Sequence, residues 1–360
     1  MTFAQRYARQ LVLPGFGREA QERLAASRVL VIGAGGLGSS VIPALAAAGV
    51  GTIGIVDDDT VELSNLARQT MHGVDDLGGS KVESAAETVA RIDPAIVVRA
   101  HPLRFSAENA ARLLEGYDLL VDGSDNFPTR YLADDAATLA AKPLVWGSVN
   151  QYGGQTSVSF AAHGPTYRDL FPAPPPADSV LSCEQGGVFP ATVAIVGSIM
   201  TAEVIKLLTG VGRPLLGRVS LYDALSGRFR ELEYQRDPTA APITGFIDYE
   251  LFCGVAPRSD EVDARELAAL LDEVVLLDVR EPWEAEVASL PGAVLVPLGS
   301  LRSAVATLPT DRPIVAYCHH GVRSAHALEL LRAAGFDDAR HLTGGIDAWS
   351  RTVDASVARY

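Results

Sequence analysis

The sequence predicts an α/β protein: a Rossmann-like, mostly parallel, doubly wound sheet followed by a second, smaller α/β domain. Three observations carry this reading. Apolar runs alternate with helical stretches from residue 28 onward. A glycine-rich turn joins the first run to the first helix. A break rich in Pro, Gly and short turns at 237–257 precedes a fresh alternating pattern.

The elements follow in order. Val29–Ile32 is expected as a strand, Gly38–Ala48 as a helix, and Thr52–Val56 as the next strand. Lys81–Ile92 reads as a helix, Val97–Ala100 as a strand, Ala107–Leu114 as a helix and Leu119–Asp122 as a strand. Tyr131–Ala140 and Leu144–Ser148 complete this alternation. Residues 163–187, with the run Pro172–Pro176, predict a mobile loop. Residues 185–202 carry no charge and predict a buried or inter-subunit helix. Val219–Asp223 and Phe229–Tyr234 predict a hairpin. In the second pattern, Val274–Asp278, Val294–Pro297 and Ile314–Cys318 read as strands. The expected division is a first domain at 1–247, a linker at 248–260 and a second domain at 261–360.

Composition narrows the function classes. The chain has 360 residues, 48% hydrophobic and 21% charged, with a formal net charge of −14. Acidity of this degree argues against a nucleic-acid partner. Residues 29–56 are free of charge and long enough to span a membrane, but seven glycines and one proline interrupt them. Two buried strands and a packed helix explain that run without a bilayer. The three cysteines, Cys183, Cys253 and Cys318, are widely spaced and form no Cys-x-x-Cys pair. A cytoplasmic setting is expected. Lys81, Lys142 and Lys206 are the only lysines beside 27 arginines, which draws notice to each.

Gly33-Ala-Gly35-Gly36-Leu-Gly38 follows a strand and opens a helix, where backbone N–H groups can meet phosphate. Asp57 ends the next strand, placed to grip ribose hydroxyls. This much fits a nicotinamide dehydrogenase equally well. Asn65, Arg68, Gln69, Lys81, Asp125 and Arg9 add cations and a carboxylate that hydride transfer does not need. Transfer to a phosphate does need them, because charge on the α-phosphate and pyrophosphate must be stabilised.

Arg6-Tyr-Ala-Arg9-Gln, the glycine turn, Asp57-x-Asp-x-Val-x-x-Ser-Asn65-Leu-x-Arg68-Gln69, Gly78-x-x-Lys81-Val-Glu-Ser and Ser124-Asp125-Asn resemble the bacterial ubiquitin-activating-enzyme-like adenylyltransferases. The resemblance spans about residues 3–245. It implies ATP and Mg²⁺ as cofactors and, as partner, a ubiquitin-like sulfur carrier protein whose C-terminal Gly-Gly carboxylate attacks the α-phosphate. It places Asp57 on ribose, Asn65, Arg68 and Lys81 on the phosphates, Asp125 on Mg²⁺, and Arg9 in the partner subunit's site of a homodimer. It matches Cys183 to a loop cysteine that some members use covalently. Many relatives also bind zinc through two Cys-x-x-Cys pairs. The matching stretches, Thr166–Asp169 and Ala240–Thr244, have no cysteine, so no zinc site is expected.

In the second domain Cys318-His-His-Gly321-Val-Arg323-Ser is a loop between a strand and a helix. Such a loop turns N–H groups inward and stabilises a thiolate or persulfide. Cys-x-x-Gly-x-Arg-Ser resembles the rhodanese active-site loop. Leu277–Glu284, Leu290–Ala293 and Gly344–Trp349 agree with that family's flanking motifs. Four residues separate Cys318 from Arg323, a narrower cradle than the phosphatases of related fold possess. His319 and His320 have no third ligand in view.

The fusion order implies an enzyme that adenylates a carrier and then transfers sulfur from a Cys318 persulfide to form the carrier thiocarboxylate. The sulfur would come from a cysteine desulfurase or thiosulfate. The product would serve molybdopterin, cysteine or other sulfur-containing products. The alternatives are an activator that conjugates a ubiquitin-like protein to targets, an NAD-dependent oxidoreductase, and a scaffold of two silent domains.

Overall fold

The computed structural model describes residues 3–175, 186–253, 260–271, 273–310 and 312–360. It divides into two compact units, Met1–Val255 and Ala256–Tyr360.

The first unit is built on a sheet of eight described strands: β1 Arg28–Ile32, β2 Thr52–Val56, β3 Val97–His101, β4 Leu119–Asp122, β5 Leu144–Asn150, β6 Gly153–Ser159, β7 Arg218–Asp223 and β8 Arg228–Glu233. Their spatial order is β3-β2-β1-β4-β5-β6-β7-β8. β1 pairs in parallel with β2 (Val29↔Ile53) and with β4 (Val29↔Leu119). The chain order therefore reverses beside β1, and the crevice at such a switch point is where doubly wound sheets bind ligands. From β5 onward the pairing is antiparallel.

β1, β2 and β4 are buried nearly throughout, which explains their unbroken apolar sequences. The helix Gly36–Ala48 covers one face. It buries Leu37, Val41, Ile42 and Leu45, each contributing about 1.5–3 kcal/mol by leaving water. It ends at Gly49, which takes the left-handed conformation of a helix stop. The opposite face carries a second core around Leu30, Leu120, Tyr131 and Trp146.

Several expectations change here. The helix after the glycine turn starts at Gly36, and that expected at Tyr131–Ala140 runs from Phe127 to Leu139, because Asn126 caps it by accepting from the Thr129 N–H at 2.9 Å. β6 was not anticipated, since its Gly153-Gly-Gln-Thr-Ser-Val-Ser sequence lacks a strand signature. Within the expected loop at 163–187, Tyr167–Leu170 is a short docked helix. Asp134 accepts from the Tyr167 and Arg168 N–H groups, and Asp135 forks onto the Arg168 guanidinium at 2.6 and 2.8 Å. The apolar helix begins at Pro190 and continues to Thr209. It is long and apolar enough to cross a bilayer, at a mean hydropathy of 1.7. One side packs on the sheet, and Glu203 is buried there beside Lys206. The expected linker also starts late. Tyr249–Phe252 is helical, and the Tyr249 hydroxyl donates to Asp135 at 2.7 Å within the first unit.

The second unit holds five described strands, all parallel: β9 Glu261–Val262, β10 Val275–Asp278, β11 Val294–Leu295, β12 Ile314–Tyr317 and β13 Arg340–Leu342, in the order β11-β10-β12-β13-β9. Cys318 follows the central, fully buried β12.

Candidate functional site

The first unit has a cavity of about 390 Å³ at the C-terminal ends of β1, β2 and β4. Each strand end delivers one part. β1 leads into the glycine turn, β2 into Asp57, Asp58 and Asp59, and β4 into Gly123, Ser124, Asp125 and Asn126. Val56, Leu103 and Phe105 give it an apolar wall, while Arg68, Gln69, Lys81, Arg104 and Arg130 line it with polar groups.

The turn requires glycine for steric reasons. A Cβ on Gly38 would lie 2.1 Å from the Gly33 carbonyl oxygen, and Gly33 itself has φ +88°. Gly33, Gly35 and Gly36 face the cavity, while Gly38 packs beneath the turn. Asp57 accepts from the Ala34 N–H at 2.7 Å and from the Asp59 N–H at 2.9 Å. Burial pushes its carboxyl above the usual carboxylate range, against the pull of those N–H groups and Lys81.

Lys81 sits almost fully buried at the start of its helix, with its ammonium 2.8 Å from Asp59. The other lysines serve structure: Lys142 donates to the Leu114 and Tyr117 carbonyls, and Lys206 pairs with Glu203. Arg68 is half-buried at the rim and donates to the Ser64 carbonyl. The Gln69 side chain is buried with its Oε1 unpartnered. Asp125 is exposed at the cavity.

Two expected residues lie elsewhere. Asn65 is not on the cavity, because its amide caps its own turn, accepting from the Glu62 N–H and donating to Ser64. Arg9 is exposed on the helix Ala8–Leu11 and does not line the cavity of its own chain. Cys183 lies outside the described residues.

Two contributors escaped the sequence reading. Asp59 holds Lys81. Arg130, buried at 4% exposure, donates to Asp122 at 3.2 Å and to the Ser124 and Gly147 carbonyls at 2.9 Å, which fixes the turn that carries Asp125. It lies just before the helix expected at Tyr131–Ala140 and inside the observed Phe127–Leu139, and no quoted motif includes it. The carboxylates of Asp57, Asp58 and Asp59 approach within 4.8 Å of one another.

In the second unit, Cys318 is 2% exposed. Its Sγ accepts from the Gly321 N–H at 3.2 Å and from the Ser324 hydroxyl at 3.6 Å. The loop's carbonyls are drawn away from the sulfur. Cys318 O accepts from the Ile346 N–H at 2.9 Å, and His319 O from the Asp347 N–H at 3.1 Å. These donors open the helix Gly345–Thr352, which explains the Gly344-Gly345 pair: a Cβ on Gly345 would lie 2.4 Å from the Cys318 oxygen. The Gly321 N–H and Ser324 hydroxyl turned toward the sulfur, with the Cys318 and His319 carbonyls bonded elsewhere, make a cradle suited to an anion.

Arg323 is not a free charge. Glu284 takes its guanidinium in a fork, both bonds 2.6 Å. That hydrogen bond with Arg323 pulls the Glu284 carboxyl down to about 2. The Tyr360 hydroxyl donates to Glu284 at 3.1 Å and accepts from Arg280 at 2.7 Å. Arg280 and Asp278 form a fully buried pair at 2.6 Å. The 277–284 motif is thus a support for the loop. His319 and His320 stack on one another at 3.9 Å, and Tyr360 stacks on His319 at 4.2 Å.

The two sites, a nucleotide-type crevice and a cysteine cradle, define a class before any comparison. The ThiF family model matches residues 7–242 and the rhodanese-like domain model residues 263–352, so the chain belongs to the ThiF family and carries a rhodanese-like domain. It is similar to the probable adenylyltransferase/sulfurtransferase MoeZ of Mycobacterium tuberculosis, at 48% identity over 99% of this chain and 95% of the relative. It matches the sulfur carrier protein adenylyltransferase of Thermus thermophilus at 48% identity, over 69% of this chain and 96% of that protein. The adenylyltransferase and sulfurtransferase MOCS3 of Xenopus laevis is 36% identical over 99% of this chain and 88% of its own. Among solved structures, E. coli MccB with AMPCPP and MccA superposes with a TM-score of 0.58, at 20% identity over 67% of this chain and 74% of that one, a likeness of fold. The chain is an adenylyltransferase and sulfurtransferase.

Proposed function

We propose that the first unit binds ATP with Mg²⁺ and adenylates the C-terminal glycine of a ubiquitin-like sulfur carrier ending in Gly-Gly, and that Cys318 then supplies the sulfur. The observation that carries this is the pairing, in one chain, of Arg68, Lys81 and Asp125 around a glycine turn with a cysteine whose sulfur accepts from the Gly321 N–H and the Ser324 hydroxyl.

Asp57 accepts the ribose hydroxyls. The turn's N–H groups, Arg68 and Lys81 hold the phosphates, and Lys81 exchanges Asp59 for a phosphate oxygen. Asp125 lines the same cavity as Asp57, Asp58 and Asp59, and its carboxylate offers the hard oxygen donor that would suit Mg²⁺. When bound, Mg²⁺ supplies charge neutralisation on the phosphates. The carrier carboxylate attacks the α-phosphorus, forming the acyl-adenylate and expelling pyrophosphate.

The Cys318 thiolate attacks the sulfane sulfur of a desulfurase persulfide, releasing that enzyme's thiolate, or of thiosulfate, releasing sulfite. The persulfide then attacks the acyl-adenylate, forming an acyl disulfide and expelling AMP. A thiol, with Cys183 as our assignment, cleaves this disulfide to free the carrier thiocarboxylate. A low-molecular-weight thiol reductant reduces the resulting Cys183–Cys318 disulfide.

A homodimer accounts for Arg9, which would complete the partner subunit's cavity. The uncharged stripe of Ala191, Ala194, Ser198 and Ala202, exposed along the helix Pro190–Thr209, supports it. We place the enzyme in the cytoplasm, without nucleic-acid or membrane partners. The test is mass spectrometry of candidate Gly-Gly carriers after incubation with ATP and thiosulfate. A thiocarboxylate on one of them supports the reading, and none on any carrier, with ATP left intact, overturns it.

A further inference from the structure

We infer that His72 is a positioning residue for ATP, acting through the peptide plane between Ala34 and Gly35. This rests on the reading of the glycine turn as the phosphate site. His72 is 6% exposed and lies beneath the turn. Its Nε2 is 2.9 Å from the Ala34 carbonyl oxygen, and its Nδ1 is 2.7 Å from the Ser84 hydroxyl. A carbonyl only accepts, so Nε2 carries the proton. In the neutral ring Nδ1 then accepts from Ser84, which fixes both tautomer and ring orientation.

The consequence follows from peptide geometry. In a trans peptide the C=O and the following N–H point in opposite directions. Holding the Ala34 carbonyl on His72 turns the Gly35 N–H away from His72, and Gly35 lines the cavity. The preceding peptide is held too, because the Ala34 N–H donates to Asp57 at 2.7 Å. Glycines permit this turn but do not select one orientation of its peptides. Without His72, the plane could rotate and present a carbonyl to the phosphates. The protein thus fixes a phosphate donor from below, through a side chain that touches no nucleotide.

The test compares His72→Gln with His72→Asn in the full chain. A glutamine amide nitrogen can occupy the Nε2 position and keep the bond to Ala34. The asparagine amide reaches only toward Ser84. We expect His72→Asn to weaken ATP binding in Mg²⁺ about ten-fold, the scale of one hydrogen bond to a charged group, with His72→Gln within about two-fold of wild type. Adenosine, which lacks phosphate, should bind all three proteins alike. Should His72→Asn fail to fold, Ser84→Ala, which frees the ring to reorient, should weaken ATP selectively in the same way. Equal ATP affinity in wild type and the variant, equal losses in Gln and Asn, or a matching loss for adenosine would each overturn the inference. A wild type that binds no ATP would instead overturn the reading on which it rests.

Discussion

Replacing Glu284 with glutamine removes the charge that holds Arg323 while keeping the side chain's shape. The structure sets the magnitude. Glu284 is 5% exposed and accepts two bonds of 2.6 Å from the guanidinium. The drop of its carboxyl from 4.5 to about 2 corresponds to about 3 kcal/mol of preference for the ionised form. The Arg323 side chain is 36% exposed, and solvent screening reduces the pair's contribution to about 1–2 kcal/mol. Because the folded value lies below the unfolded one, this stability is complete above about pH 4.5, falls progressively as the pH drops from there, and is gone below about 2; at pH 7 it is fully present. For a unit of this size, Glu284→Gln should lower the Tm by roughly 4–16 °C. Calorimetry of the full chain reads that change. Persulfide loading of Cys318 from thiosulfate, followed by release to cyanide, reads the site. Loading should slow about ten-fold as Arg323 loses its fixed position. A melt superimposable on wild type, together with unchanged loading, would refute the claim that Glu284 holds the cradle's arginine.

Gly345→Ala should abolish persulfide loading while ATP–pyrophosphate exchange continues, since the added Cβ would collide with the Cys318 and His319 carbonyls. Loss of exchange in this variant would contradict that division. Asp125→Ala should do the reverse, cutting exchange by about a hundred-fold or more and leaving loading intact. Cys253 is buried and its thiol pushed up to about 11 by burial, so iodoacetamide at pH 8 should leave it unmodified in the folded protein; peptide mapping that finds it alkylated would count against this packing. For Cys183→Ala, multiple turnovers at the wild-type rate would remove it from the resolving step.

The parallel half of the sheet was legible because buried strands leave continuous apolar runs, as in Val29–Ile32 and Leu119–Asp122. β6 was not, because its glycines and polar residues gain their extended conformation from pairing with β5 and β7, a tertiary effect. Tyr167–Leu170 was read as loop because what fixes it, Asp134 and Asp135, lies more than thirty residues away. At the sites, the residues that motifs name were visible, and most of those that hold them were not. Lys81 stood out by rarity, whereas its partner Asp59 was one carboxylate among three. Glu284 belonged to a quoted motif, yet only the structure gives it the task of holding Arg323. Asn65 shows the opposite failure: a motif position whose side chain is spent capping its own turn.

The account's central claim is that adenylate and sulfur come from different units of one chain. It is tested most directly by mass spectrometry of a Gly-Gly carrier incubated with ATP, Mg²⁺ and thiosulfate, using wild type and Cys318→Ala side by side with ATP–pyrophosphate exchange. The account predicts that wild type yields the oxygen-to-sulfur mass gain, and that Cys318→Ala retains exchange but leaves the carrier without sulfur. Thiocarboxylate formed by Cys318→Ala at the wild-type rate, or exchange lost together with it, would contradict the account.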